Sequence, residues 1–224
     1  MNDPWDFKPW FSCEPMLNDP RSLERMLEML RANAGPEVIN DPVRPLFEAR
    51  IRQDPRELRK FVASFSKGVS QELCKRRVYC LTLLNDSILM WSHYTGNHKG
   101  ICLEFNVDNP LFSRARPVRY SHTYPEWTPH GMEENVSALV LTKAVDWAYE
   151  REFRIVGTPN AALKGTPNSL DGSYLHLPPG ALSAIIIGCE APKDEITLLV
   201  REVAPGLPIK HAQRIPDKYK LEII

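Results

Sequence analysis

The sequence predicts an α+β fold: an N-terminal helical region followed by a mixed, mostly antiparallel β core with a few helices. Asp-Pro pairs recur through the first third of the chain, and apolar residues follow them at helical spacing. From Arg77 onward the pattern changes to short apolar or alternating runs, which are typical of strands. At 224 residues, the chain suits a single domain over 1–224, with 1–76 as a helical part and 77–224 as a β-rich core.

Three helices are predicted in the helical part. Each begins at an Asp-Pro pair, because aspartate caps a first helical turn and proline fits the first helical position. The pairs are Asp19-Pro20, Asp41-Pro42 and Asp54-Pro55. Gly35-Pro36 is a stop signal that ends the first of these helices.

Strands and helices alternate in the β-rich core. The predicted strands, in chain order, are 78–84, 100–105, 118–120, 151–156, 174–177, 184–188, 209–213 and 219–224. The predicted helices are 85–94, opened by Asn85 or Asp86, then 132–144 and 194–203. Polar loops are predicted over 121–131 and 157–172.

Composition excludes several classes of protein. Lysine and arginine number 28, as do aspartate and glutamate, so the net charge of zero gives no argument for a nucleic-acid partner. The five cysteines form no Cys-x-x-Cys pair, and neither a signal peptide nor an apolar run long enough for a membrane span is evident. We therefore expect a cytoplasmic protein with reduced thiols and no membrane partner.

The densest polar and aromatic cluster follows the helix predicted over 85–94. Its members are Trp91, His93, Tyr94, Asn97, His98 and Lys99. Three interpretations stay open at this point. The residues bind a ligand, with Trp91 or Tyr94 as a stacking surface; they are packing anchors; or His93 and His98 bind a metal. No metal site is predicted, because a spacing of five does not place two histidines on one helical face and no further ligand is close.

The stretch DWAYEREFRIV, at 146–156, places several charges in a row. If it is a strand, Glu150, Glu152 and Arg154 point to one face, and they form either a solvated surface or a site. A serine-hydrolase elbow, a Walker loop and a dinucleotide fingerprint do not occur in the sequence. A functional interpretation therefore depends on these carboxylates facing a cleft.

Three motifs carry a resemblance to a known family. They read W-x-H-Y, then H-x-G-x-C-x-x-F, then K-x-x-x-W-x-Y-E-x-E-x-R, within residues 77–190. The chain thereby resembles a bacterial domain of unknown function whose genes often lie near mobile or defence genes. Members of that family usually begin with two strands before a F-N-D-P-F-D motif. Residues 1–6, MNDPWD, are similar to that motif, so the resemblance implies that the two strands are missing here.

The order of the motifs is similar to that of ADP-ribosyltransferases. That resemblance implies NAD as the substrate and a glycosyltransferase reaction, with Glu150 or Glu152 as the catalytic glutamate. The residues expected to bind the cofactor are Trp91, His93, Tyr94, His98 and Arg154. The expected function is an NAD-using effector of a toxin or phage-defence system. The alternative is a non-catalytic module that binds a small-molecule or protein ligand. A homodimer is expected if the missing strands leave a sheet edge open.

Overall fold

A computed structural model of the chain describes residues 14–74, 76–125, 132–157, 170–171, 174–175 and 177–224. The α+β prediction is confirmed, with helices first and mostly antiparallel strands after them. The helices are α1 (Glu14–Asn18), α2 (Pro20–Asn33), α3 (Pro36–Ile39), α4 (Arg44–Gln53), α5 (Pro55–Cys74), α6 (Ile88–Tyr94), α7 (Met132–Val140) and α8 (Lys193–Val203). Two 3₁₀ helices span Phe112–Arg114 and Val145–Glu150.

The strands are short and form four sheets among the described residues. They are β1 (Arg77–Thr82), β2 (Ile101–Phe105), β3 (Arg116–Pro117), β4 (Arg119–Ser121), β5 (Thr142–Ala144), β6 (Glu152–Gly157), β7 (Leu170–Asp171), β8 (Tyr174–Leu175), β9 (Leu182–Ile187), β10 (Ile209–Arg214) and β11 (Leu221–Ile223).

The chain divides into two compact units. The first contains the described residues up to Arg76 together with Arg119–Trp147, and the second contains Arg77–Val118 together with Ala148–Ile224. The 3₁₀ helix Val145–Glu150 therefore contributes its first half to one unit and its second half to the other. The single domain over 1–224, with parts 1–76 and 77–224, stays a prediction.

Two helices of the first unit, α2 and α5, begin at the proline of a predicted Asp-Pro pair. The Asp19 side chain accepts a hydrogen bond from the Arg21 backbone N–H, and Asp54 accepts one from Arg56 in the same way. Asp41 accepts from the Val43 N–H, but α4 begins only at Arg44, two residues after the predicted start at Pro42. The apolar faces of these helices pack together, and the core residues are Leu23, Leu27, Ile51, Leu58 and Val62.

The helix predicted over 132–144 is too long. α7 ends at Val140, and the chain then pairs in parallel with β4 as strand β5. The Arg119 backbone N–H donates to the Leu141 carbonyl, and Tyr120 lies opposite Lys143. The neighbouring strand thus supplies backbone partners that a longer helix would not use, and this tertiary pairing overrides the local helical pattern.

The second unit contains the two larger sheets. In the first, β6 lies between β1 and β3 and is antiparallel to both. In the second, the order is β11-β10-β9-β2, and β9 runs parallel to β10 and antiparallel to β2. β9 is apolar along Ala184–Ile187 and buried there, as expected for a strand covered on both faces.

The cap of α6 differs from the prediction. Ser87, and not Asn85 or Asp86, is the capping residue, and its hydroxyl accepts from the Met90 N–H at 3.4 Å. The Asn85 carbonyl instead accepts the Trp91 indole N–H at 2.7 Å. That bond satisfies the one polar atom of a buried tryptophan, so the start of α6 is set by where Trp91 enters the core.

The loop after α6 docks on the end of β9. Gly96, Asn97 and His98 all have positive φ, of 59°, 60° and 66°. The Gly188 N–H donates to the Gly100 carbonyl at 3.0 Å, and the Glu190 N–H donates to the His98 carbonyl at 3.1 Å. A Cβ on residue 188 would overlap the His98 carbonyl oxygen, so glycine is required there.

Some predictions concern residues that the structure does not describe. The N-terminal motif at 1–6, residues 126–131 of one polar loop and residues 158–169 of the other lie outside the described residues. No helix in the described part of the chain is both long and apolar enough to cross a membrane.

Gly188→Ala should destabilise the protein by about 1–3 kcal/mol, because the new methyl group has to displace the backbone of the loop. Gly68→Ala is the matched control: apart from the two neighbouring residues and the backbone of α5 itself, no atom lies within 4 Å of a Cβ at that position. That change should raise stability by up to about 1 kcal/mol, since alanine favours a helix over glycine. Urea unfolding followed by circular dichroism measures both. Equal stabilities for the two variants would contradict this account of Gly188.

Candidate functional site

The strand that carries the charged row begins later than the sequence predicts. Val145–Glu150 is a 3₁₀ helix, Arg151 has a φ of 44°, and β6 begins at Glu152. Glu150 therefore does not share the strand face of Glu152 and Arg154, which was expected only if the whole stretch 146–156 formed a strand. The reason is that β1 ends at Thr82, which lies opposite Glu152, so no backbone partner remains in β1 for an earlier residue.

All three charged side chains are nevertheless buried. Glu150 is 2% exposed, Glu152 6% and Arg154 1%. The interpretation as a solvated surface is excluded, because a solvated strand face would leave these groups in water. Charges at such depth are stable only when partners replace the lost water. The contacts of these three residues therefore define the chemistry of the site.

Arg154 and Glu152 compensate each other on one face of β6. The Arg154 Nε donates to Glu152 Oε1 at 2.7 Å, and Nη2 donates to Oε2 at 3.0 Å. The period of a strand brings residues i and i+2 to the same face, which makes this two-pronged contact possible. Both carboxylate oxygens of Glu152 accept hydrogen bonds from the planar guanidinium of Arg154, so the contact fixes the orientation of the carboxylate.

Glu150 has a partner from α6. The Tyr94 hydroxyl donates to Glu150 Oε1 at 2.5 Å, which joins the last residue of α6 to the last residue of the 3₁₀ helix. Partial burial raises the pKa of Tyr94, and its hydrogen bond to Glu150 raises that pKa further. The phenol therefore stays protonated and remains a donor to the carboxylate.

Thr82 holds the backbone of the same glutamate. Its hydroxyl donates to the Glu150 carbonyl at 2.6 Å and accepts from the Leu84 N–H at 3.1 Å. Thr82 is not among the site residues that the sequence predicts. The available signal was a single hydroxyl in the otherwise apolar run VYCLTLL.

Aromatic rings lie beside Glu150. The His93 ring centroid is 6.2 Å from that of Tyr149 and 6.5 Å from that of Tyr94. His93 is exposed and Tyr94 is 48% exposed, so part of this group is open to solvent. Tyr149 is a second residue that sequence reasoning missed, although it immediately precedes Glu150. The arrangement places a buried carboxylate next to a partly open set of rings.

The remaining predicted site residues have other surroundings. Trp91 is buried in a core cluster with Ile186, Ala212 and Leu221. His98 is partly buried, and its Nδ1 has no hydrogen-bond partner among the described atoms. His98 lines a separate cavity of about 490 Å³. Within the described ranges, no group of three or more histidine, cysteine, aspartate or glutamate residues is placed to hold a metal ion.

The fold and these contacts define an α+β protein whose second unit carries a buried acidic site beside aromatic rings. The family described as "Protein of unknown function (DUF2971)" has a model that matches residues 90–155. That segment runs from α6 to β6 and contains the contacts of Tyr94 and Glu150. The resemblance to a domain of unknown function is thereby confirmed. Neither a curated protein nor a solved structure matches the chain.

The raised pKa of Tyr94 predicts a pH dependence of stability. A tyrosine in the unfolded chain ionises near pH 10, whereas Tyr94 in the folded chain stays protonated there. The folded state then holds one proton more than the unfolded state, so stability present below that pH is lost as the pH rises. The unfolding free energy should fall above about pH 10, and the fall should be smaller in Tyr94→Phe.

Urea unfolding at a series of pH values from about 8 to 11 tests this dependence. Tyr219→Phe is the control, because Tyr219 is fully exposed, and it should behave as the wild type. An equal fall in stability for Tyr94→Phe and the wild type would show that the contact with Glu150 does not hold the phenol in its protonated form.

Proposed function

We propose that this chain is an ADP-ribosyltransferase-like protein that uses NAD, with Glu150 as its catalytic carboxylate. The observation that carries the proposal is the buried carboxylate of Glu150, held by Tyr94 beside the rings of His93 and Tyr149. The similarity of motif order to ADP-ribosyltransferases supports the choice of NAD. In this proposal the substrate enters where His93 and Tyr94 are open to solvent.

The reaction requires a negative charge beside the ribose carbon at which the bond breaks. The bond between the nicotinamide nitrogen and the ribose carbon breaks, and the nitrogen keeps the electron pair. The ribose carbon then carries positive charge until a nucleophile adds to it and loses its proton. A buried carboxylate stabilises that positive charge more strongly than one in water, because little solvent screens it. Glu150 is the residue that we assign to this role.

Aromatic rings suit the nicotinamide part of the substrate. The nicotinamide ring of NAD is positively charged before the bond breaks and neutral after it. A cationic ring is attracted to the face of an aromatic side chain, by about 0.5–2 kcal/mol depending on exposure. The rings of Tyr149, His93 and Tyr94 are the candidates to bind it. Their attraction for the ring weakens as its charge is lost, so the released nicotinamide can leave.

The two buried glutamates have different roles in this proposal. Both oxygens of Glu152 accept hydrogen bonds from Arg154, which leaves that carboxylate committed to the ion pair. We therefore assign Glu152 and Arg154 to positioning: they fix the start of β6, next to Glu150. Trp91 has a packing role in this proposal, since its ring lies in the core.

The cellular setting in this proposal depends on the resemblance alone. A cytoplasmic effector of a toxin or phage-defence system is the setting that it implies. A non-catalytic binding module is the second candidate function. The ion pair of Glu152 and Arg154 favours it, because charges that compensate each other within the chain are also typical of a purely structural network.

Nicotinamide release from NAD tests the catalytic role of Glu150. The purified chain is incubated with NAD in the presence and absence of a cell lysate, and nicotinamide is measured by chromatography. Glu150→Gln keeps an acceptor for Tyr94 but removes the charge, so kcat should fall by about 10²–10³, as for loss of an electrostatic stabiliser. Glu190→Gln is the control, because Glu190 is an exposed glutamate of the same unit.

Circular dichroism and thermal unfolding establish that each variant is folded before its activity is compared. A wild-type chain that releases no nicotinamide under either condition would favour the binding module. A Glu150→Gln variant with wild-type kcat would remove Glu150 from the proposed mechanism.

A further inference from the structure

The cavity of about 490 Å³ that His98 lines is separate from the site proposed for NAD chemistry, because Glu150, Tyr94 and Tyr149 do not line it. Its wall comes from the second unit: the start of α6, the loop at His98, the residues that follow β9, and the hairpin that joins β10 to β11. Sites for small molecules usually have volumes of about 300–1,000 Å³. The cavity therefore has room for a small ligand.

Backbone hydrogen bonds hold the wall of this cavity in place. The Glu190 N–H donates to the His98 carbonyl, which joins the loop to the residues that follow β9. In the hairpin, the Lys218 N–H donates to the Ile215 carbonyl at 3.4 Å, and the Ile215 N–H donates to the Lys220 carbonyl at 3.0 Å. The wall is thus formed before a ligand arrives, which lowers the conformational entropy that binding costs.

Among the described residues, two positive charges of the wall have no counter-ion. The charged residues that line the cavity are Arg214, Lys218, Lys220 and Glu190. Arg214 pairs with Glu190 at 3.2 Å, so these two charges compensate each other. Lys218 and Lys220 pair with no carboxylate in the ranges that the structure describes, not even with Asp217 of the same turn. Two uncompensated ammonium groups at one cavity favour a ligand with two negative charges.

A phosphate monoester has the charge that these two lysines would neutralise. At neutral pH a monoester carries about −1.5 to −2 charges. A carboxylate or a phosphate diester carries a single negative charge, which would leave one ammonium group uncompensated. Lysine is also a common phosphate ligand, because its ammonium group donates to the phosphate oxygens as a compact positive charge. The charges of the wall therefore favour a phosphate monoester.

The uncharged part of the wall suits a planar ring. Ile88 and Ile215 line the cavity, and Ile88 is 38% exposed there although it is apolar. Tyr219 also lines the cavity, lies between the two lysines in the sequence and is fully exposed, so its ring is open to a ligand. Aromatic side chains stack on nucleobases of every kind, because each base has a π-face. A ring joined to a phosphate monoester is the composition of a nucleoside monophosphate.

We propose that this cavity binds the phosphate monoester of a nucleoside. Lys218 and Lys220 bind the phosphate, and Tyr219 stacks on the base. The same chemistry occurs in a free nucleoside monophosphate and at the phosphorylated end of a single-stranded nucleic acid, and the experiment distinguishes these two sources. The proposal goes beyond the NAD chemistry proposed for Glu150 and does not depend on it.

Calorimetry on the full chain measures the binding of AMP, GMP, CMP and UMP. We expect one nucleotide per chain. AMP should bind at least about tenfold more tightly than adenosine, inorganic phosphate or 3′,5′-cyclic AMP, which lack the phosphate, the base and the second charge, respectively.

A single-stranded oligonucleotide with a 5′-phosphate, and the same oligonucleotide without it, identify the source of the ligand. Tighter binding of AMP than of the phosphorylated oligonucleotide indicates a free nucleotide, and the reverse order indicates a nucleic-acid end. Equal binding of the two oligonucleotides, at an affinity above that of AMP, would overturn the proposal, because the terminal phosphate would then have no role.

Matched substitutions locate the binding. Lys218→Gln and Lys220→Gln should each weaken AMP binding about tenfold, as for loss of a hydrogen bond between charged groups. Lys99→Gln is the control, because Lys99 is an exposed lysine next to His98 that does not line the cavity. Tyr219→Ala should weaken binding about fivefold or more, whereas Tyr219→Phe keeps the ring and should bind as the wild type does.

Thermal unfolding establishes that each of these variants is folded. The proposal is overturned if none of the four nucleotides binds more tightly than adenosine. It is also overturned if Lys218→Gln and Lys220→Gln both bind AMP as tightly as Lys99→Gln does.

Discussion

The buried guanidinium of Arg154 is the constraint on which the site depends. Its side chain has no exposure, and a charge in such a place has to be neutralised within the chain. Glu152 does this from two residues earlier on the same face of β6, and β6 is itself held between β1 and β3. The ion pair therefore requires a protein-covered face and a fixed start to the strand.

That fixed start determines where Glu150 lies. A third charge in the same row would have to share the donors of Arg154, but the chain turns at Arg151 before it reaches Glu150. Glu150 enters from the 3₁₀ helix instead, with its carbonyl bound by Thr82 and its carboxylate bound by Tyr94. Two neighbouring acidic residues thus acquire separate partners, and separate partners allow separate roles.

The sequence was sufficient where local interactions decide the structure. The helix starts at Asp19 and Asp54 were predicted because an aspartate cap acts within one turn. The 3₁₀ helix that ends at Glu150 was not, because it depends on where the partner strand of β6 ends, at Thr82. The burial of Glu152 and Arg154 could not be predicted either, since a row of charges with period two has the same pattern on a solvated face and on a buried one. The partnership of Tyr94 with Glu150 joins residues 56 apart along the chain, and no local pattern encodes that contact.

The unfolding free energy of Arg154→Met tests the central claim most directly. Removal of the guanidinium takes away both hydrogen bonds that Arg154 donates to the buried carboxylate of Glu152, so the loss should be about 3–5 kcal/mol. Arg214→Met is measured beside it, because Arg214 pairs with Glu190 in solvent, with side-chain exposures of 76% and 46%. That control should change by about 0.5 kcal/mol or less. A loss for Arg154→Met as small as that of the control would show that the pair is not buried, and the account of the site would fail.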